Sequence, residues 1–384
     1  MELVDTFDFH RCHPEQSIED YYRSLRLDLS QEMVGKKVVY LDTKFWVILR
    51  DGYLDPTKNQ LESKLLNLTL DLSAKKVCVF PISEDLFLEI LKQTDIKTLK
   101  ATVELIDKLS NGISSISYDD RIKLEIMQFW YSTLGKNVYE TKELVWTKLA
   151  YNMGLHSFEI PQLSTEENRV LQKAFIDQMW SISMSQMIEV MLENGGLTKL
   201  EFAIANKLNE GKYKHQDEAR SFNQMFLNEV GGIVDVYRDA LADMMEFMYQ
   251  KETGENLTQK QSTEHRDETK RVMGNTIYNL FRLNKVGKAM PFIRISSALH
   301  ASVRWDKKQK FQDHDFHDFR HATTALPYCD YFFTEKRLAH LLTQKQLGFE
   351  KLYKCGIQSK VINAIQSLEK LQSYAANKAN ALGR

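Results

Sequence analysis

The sequence predicts an α/β fold, a parallel sheet flanked by helices and interrupted by a large all-helical insertion. Three observations predict it. Short apolar runs stand near both ends of the chain: KKVVYL (36–41), KVCVFPI (76–82) and CDYFFT (329–334). Continuous apolar runs of this kind read as strands buried on both faces, as in a parallel sheet covered by helices. Between them, over residues 95–305, strand signals nearly vanish and apolar residues recur at helical spacing. The low Gly and Pro counts, 16 and 6 in 384 residues, also favour helix.

Taken in order, residues 1–35 form an N-terminal arm whose helix over 17–29 is capped by Ser17. Residues 36–94 form the first part of the core. Its first strand ends on Asp42 and is followed by helices over 44–50 and 61–74. Its second strand is followed by SEDLFLEIL, where Ser83 caps a helix carrying Glu89. Residues 95–305 are the insertion. Its helices run from Thr94 to a stop at Asn111-Gly112, then over 118–133 and 141–153. A Ser164/Glu167 capping box opens the next stretch, which stops at Asn194-Gly195-Gly196. Further helices cover 197–209, 217–249 with a kink at Gly231-Gly232, 266–283 and 292–305. Its Met and aromatic stripes are core positions or an interface with a second subunit or protein partner.

Residues 306–356 are the second part of the core. There DFRHATTAL forms a helix of small residues stopped by Pro327. The third strand, a helix over 336–343 and an edge strand over 350–355 follow. Residues 357–384 are a C-terminal helix and tail.

Net charge is −1, so any nucleic-acid-binding surface must be local. No apolar run approaches the roughly 18 residues that a membrane helix needs. MELVDTFDFH lacks the shape of a signal peptide. Cys12, Cys78, Cys329 and Cys355 have no paired spacing and read as reduced thiols. A cytoplasmic protein is expected.

Four acids stand at strand ends or helix starts: Asp42, Glu89, Asp318 and Glu335. Ligands of open α/β sheets bind beyond the carboxyl ends of the strands. Ionised carboxylates only accept hydrogen bonds, and several in one crevice repel one another until a hard cation such as Mg²⁺ or Mn²⁺ joins them. The bland alternative is a set of helix caps and solvated acids. Asp315, one turn before Asp318, is placed to share an ion; Asp330 is a ligand or a structural residue of its strand. His314, His317 and His321 share one face of a helix, as a zinc site or as packing. Arg304, Lys307, Lys308 and Lys310 form a basic patch just before the acidic cluster, and Lys44 follows Asp42. Such groups hold a phosphate backbone or are simply solvated. Trp46 and Trp305 stack on unpaired bases or pack in the core.

The order of these motifs resembles that of the PIN-domain nucleases. In that family a first strand ends in Asp-Ser/Thr and a Ser is followed six residues later by Glu. Then comes Asp-x-x-x-Ala-x-Thr-Ala, and finally a strand ending in Thr and an acidic residue. This chain has Asp42-Thr43, Ser83 with Glu89, Asp318 with Ala322-Thr323-Thr324-Ala325, and Thr334-Glu335. It departs where the family often places Asp two residues after that Thr. Lys336 stands there, so Glu335 or Asp330 would substitute. The resemblance covers about the first quarter and residues 313–356, and the region between is far longer than a minimal PIN domain has.

The resemblance implies a PIN-like metal-dependent endoribonuclease that hydrolyses phosphodiester bonds. Asp42, Glu89 and Asp318 would hold Mg²⁺ or Mn²⁺, with Asp315, Asp330 or Glu335 as further ligands. A metal pair ~3.5–4 Å apart would activate water and stabilise the leaving oxygen. Glu335 and His321 would complete the catalytic set, His321 facing the scissile phosphate or donating to a metal-bound carboxylate. Lys44, Arg304, Lys307, Lys308, Lys310 and Thr334 would contact the substrate, single-stranded or structured RNA rather than DNA. Family members act in RNA processing, as toxins and in defence, and the insertion points to a regulated or partnered enzyme. The competing expectation is a PIN-like scaffold that has lost its metal site, which Lys336 favours.

Overall fold

The computed structural model describes residues 5–194, 204–215, 218–255 and 259–382. Its centre is a four-stranded parallel sheet. Strand β1 (Lys37–Leu41) pairs on one side with β2 (Cys78–Val79). On the other side it pairs with β5 (Tyr331–Phe333), which pairs in turn with β6 (Gly356–Gln358). The spatial order is therefore β2-β1-β5-β6.

Successive side chains of a strand point to opposite faces, and here both faces are buried. Val39, Leu41 and Phe333 enter a core with the helices Thr43–Leu54, Gln60–Ala74, Ile96–Ser110 and Val361–Leu382. Val38, Tyr40 and Phe332 enter another with Ile18–Met33, Pro291–Trp305, Asp315–Tyr328 and Lys336–Leu342. That two-sided burial is why the strands read as unbroken apolar runs. The sheet flanked by helices is as expected.

The insertion differs from its expectation in two ways. It is mostly helical, but it also contains β3 (Ile113–Ser115) and β4 (Trp146–Lys148), an antiparallel pair. Moreover, β3 is joined by an isolated bridge to the segment that follows β2, although it forms a separate two-stranded sheet with β4. Ile82 bridges Ser114 in parallel, with Ile82 N donating to Ile113 O at 3.1 Å and Ser115 N to Ile82 O at 2.9 Å. The helix Ile96–Ser110 packs in the same core as β1, so the expected boundary at residue 95 falls inside the core unit. Asn111 does end that helix in the left-handed conformation, at φ 52°.

Apart from this strand pair the insertion builds a core of its own. Ile122, Val230, Val234, Met244, Met248, Ile277 and Phe292 meet there, from helices Tyr118–Thr133, Phe222–Val236, Arg238–Thr253, Gln259–Arg282 and Pro291–Trp305. The expected long helix over 217–249 is two helices that break at Tyr237, not at Gly231-Gly232. Gly231 instead lies against Tyr278, whose ring a Cβ would meet at 3.9 Å. Gly195, Gly196 and the start of the helix expected over 197–209 lie outside the described residues. The expected edge strand over 350–355 is not found there: that stretch begins with a short helix Phe349–Leu352, and the strand follows as β6, Gly356–Gln358. No helix among the described residues is long and apolar enough to cross a membrane.

Candidate metal and phosphate site at the sheet's carboxyl end

From β1 the chain moves to β2 on one side and later returns to β5 on the other. A crevice opens at such a switch point, beyond the carboxyl ends of the two central strands. Asp42 stands there. Its Oδ1 caps the following helix by accepting from Phe45 N at 3.1 Å. Its Oδ2 accepts from Glu335 N at 2.9 Å, so one carboxylate ties the ends of β1 and β5. Glu335 starts the helix Lys336–Leu342 without capping it by its own side chain. Its Oε1 is buried and has no hydrogen-bond partner among the described residues.

Ser83 caps the helix Glu84–Ile90, as the sequence predicts, and this aims Glu89 at the same crevice. Glu89 accepts from Thr43 Oγ1 and from His321 Nε2, the latter at 2.9 Å. The other ring nitrogen of His321 meets the Tyr40 hydroxyl at 2.7 Å, and Tyr40 meets Ser83 Oγ at 2.6 Å. The small residues Ala322, Thr323, Thr324 and Ala325 are fully or nearly fully buried, which lets their helix lie close to the sheet. In its first turn Asp318 is half-buried, and no hydrogen bond reaches its carboxylate among the described residues.

The electrostatics separate these acids. Burial pushes Asp318 up to about 8, reinforced by the charges of Glu335, Glu89 and Asp42 and opposed by His321. Burial also pushes Asp42 up to about 6, against the nearby Thr334 hydroxyl, His321 and the amides of Phe45 and Glu335. Glu89 goes the other way. Burial alone would raise it, but the hydrogen bond and charge of His321, with Thr43, hold it low. His321 is correspondingly raised: burial disfavours its proton, and Glu89 outweighs that. The crevice thus holds one buried ion pair, Glu89 with His321, beside carboxylates that lack an equivalent partner.

The remaining expected site residues divide. Asp315 is clamped by Arg337, whose Nη2 lies 3.0 Å from its Oδ2. Even so, His314, Asp315 and Asp318 each offer a ligand atom within 4.8 Å of the others, the described group that comes closest to a ligand cluster. Asp330 is not in the crevice. It precedes β5 at the amino end of the sheet, where Lys37 Nζ lies 2.6 Å and Val38 N 2.9 Å away. This corrects its assignment as an alternative ligand, because the strands run between it and the other acids.

The three histidines do not converge as a zinc site would require. His314 is exposed, His317 meets Asp85 at 3.1 Å and Lys92 at 2.9 Å, and His321 turns to Glu89. His321 therefore holds the Glu89 carboxylate. Lys44 is exposed on the rim, its Nζ 3.5 Å from Ser359 O just after β6. Arg304 pairs with Glu229 at 2.6 Å, while Lys307, Lys308 and Lys310 are exposed. Trp46 is fully buried, a core residue, whereas Trp305 is 41% exposed.

Sequence reasoning overlooked Tyr40, Asp85 and Arg121. Tyr40 occupies an apolar run and looks like core. Asp85 sits between Ser83 and Glu89 and reads as a first-turn acid, yet it is 2% exposed and faces His317 and Arg320. Arg121, buried within the insertion, donates to the hydroxyls of Thr323 and Thr324. Nothing in its local sequence signals that contact.

No family model, curated protein or solved structure matches this chain.

Proposed function

We propose that the chain is a metal-dependent nuclease with a PIN-like core, acting on RNA. The observation that carries the reading is that Glu335, Glu89 and Asp42, from three other segments, lie near enough to Asp318 beyond the ends of β1 and β5 for their charges to raise it, with Asp318 also within ligand reach of Asp315 and His314. A divalent cation fits this donor set. The donors are oxygens, Glu335 Oε1 is buried without a hydrogen-bond partner among the described residues, and burial together with the neighbouring acids keeps Asp318 from ionising until a cation joins it. Asp42, Asp318 and Glu335 would hold Mg²⁺ or Mn²⁺. Asp315 sits close enough to share it through Asp318, and Glu89 joins from its ion pair with His321.

A bound ion would supply charge stabilisation at the phosphate and a more acidic water. The chain's own groups do the rest. Asp42 fixes the spacing of two strand ends through its two accepted amides. His321, held by Tyr40, orients Glu89 and balances its charge. Lys44 on the rim offers a cation to a phosphate.

The second reading, a scaffold without metal, draws on one observation. Glu89 and Asp315 are already satisfied by His321 and Arg337. The readings separate in one experiment, cleavage of a labelled RNA with Mn²⁺ by the parent and by Asp42→Asn. Cleavage that disappears in the variant supports the nuclease. A folded parent that neither cuts RNA nor binds Mn²⁺ sinks it and leaves the scaffold.

A further inference from the structure

The expected basic patch is not a simple solvated face. The loop after the helix Pro291–Trp305 is held from the side by the helix Ala205–Lys214. Asn209 pairs with the backbone of Phe311 in both directions, accepting from its N–H at 2.8 Å and donating to its carbonyl at 2.9 Å. Lys212 Nζ donates to the carbonyls of Val303, Asp306 and Gln309. Two cations are thus used in construction: Lys212 on these carbonyls and Arg304 on Glu229. A loop pinned at so many points presents its outer side chains in a fixed arrangement.

What it presents is a cleft of about 370 Å³ lined by Tyr213, Trp305, Lys307 and Lys310 together with the two structural cations, and by no acidic side chain among the described residues. Trp305 is 41% and Tyr213 77% exposed. Trp305 and Lys307 also border a second concavity, where Lys345 lies and where Asp306 is bound by Lys308 N and Gln309 Nε2. Lys307, Lys310 and Lys345 are exposed and make no ion pair among the described residues. Exposed flat rings beside unpaired cations suit a chain of unpaired bases, whose faces stack while its phosphates meet the lysines. A duplex hides those base faces. The downstream end of the loop is tied to the acidic crevice: Lys310 O accepts from Arg337 Nη2 at 3.0 Å, and Arg337 clamps Asp315, one turn before Asp318.

We infer that this groove binds a single-stranded segment of RNA, with a base stacked on Trp305 and the adjoining phosphates on Lys307 and Lys310. The inference deepens the nuclease reading by giving its substrate a docking path, and it rests on that reading only for the choice of RNA.

The test is fluorescence anisotropy of a labelled oligouridine with the full-length chain in EDTA, so that no cleavage intervenes. Expected is binding that weakens with salt and that prefers the single strand to an RNA duplex of equal length. Trp305→Ala should weaken it at least about tenfold, and Trp305→Phe should restore most of the loss. Lys307→Ala/Lys310→Ala, which alters only exposed side chains, should weaken it and flatten the salt dependence. Parent binding to a duplex as tight as to the strand, no binding by the parent, or parent-like binding by both groove variants would overturn the groove. The nuclease reading fails separately: a parent that binds the strand but never cuts it with Mn²⁺ keeps the groove and loses the enzyme.

Discussion

The two ends of the central sheet use the same kind of residue in opposite ways. At the amino end Asp330 is matched: Lys37 supplies a cation, Val38 an amide, and the carboxylate ties β5 to β1. At the carboxyl end Asp42 makes an equivalent tie through the Glu335 amide, but no lysine or arginine among the described residues pairs with it. Asp318 and Glu335 beside it are poorer still in partners. Both ends gain the structural benefit of an acid across two strands. Only the carboxyl end gathers more negative charge than the tie requires, and a parallel sheet places helix starts and open loops at that end.

The comparison breaks first at Asp318. Asp318→Asn and Asp42→Asn should each lower Mn²⁺-dependent RNA cleavage by at least about a hundredfold. Thermal melting should stay level or rise for Asp318→Asn, because the metal-free crevice loses repulsion. Loss of cleavage with loss of folding would instead show that these acids are structural, as Asp330 is.

Glu89→Gln should behave differently. It strands the buried imidazolium of His321, which is 1% exposed, without its counter-ion. Breaking one side of a buried pair costs about 3 kcal/mol, so melting should fall along with cleavage. If Glu89→Gln melts like the parent, the ion pair carries no structural weight.

The pH dependence follows from Asp318, whose carboxyl sits near 8 in the fold, well above its unfolded value. The native metal-free chain therefore keeps a proton that the unfolded chain sheds. Its contribution to stability is greatest at low pH and declines as pH climbs toward 8. Metal binding expels that proton, so Mn²⁺ affinity should grow with pH from 6 to 8, by about tenfold per unit at most. Affinity that is flat over this range would place the ion elsewhere.

The smallest expected effect is at the other end. Asp330→Asn should leave cleavage within about twofold and cost about 1 kcal/mol of stability, because the pair with Lys37 is partly exposed.

Much of the carboxyl end was legible in the sequence because its signals are local. Asp42, Ser83 and Ser17 cap helices, and a cap is specified by the residue and the few that follow it. The apolar runs of β1 and β5 report two-sided burial directly. Strand β3 was not legible. Its three residues are Ile-Ser-Ser, too short and polar to stand out, and it exists through pairing with Ile82 and with β4, more than thirty residues away on either side. For Asp330 the choice between ligand and structural residue stayed open, because sequence shows that an acid lies beside a strand but not which partner waits across it. Arg121 and Lys212 do their work on Thr323 and on the carbonyls of residues 303–309, contacts set by how the insertion folds back. The Tyr237 break was missed because the two glycines upstream looked like the weaker point, yet one of them is packed on a ring.

The most direct measurement is a Mn²⁺ titration by electron paramagnetic resonance of the parent, Asp318→Asn and Asp330→Asn at pH 8. Expected is saturable binding by the parent and by Asp330→Asn, and binding at least about tenfold weaker in Asp318→Asn. A parent that binds no Mn²⁺, or an Asp330→Asn variant that loses as much affinity as Asp318→Asn, would contradict a metal site at the carboxyl end of the sheet.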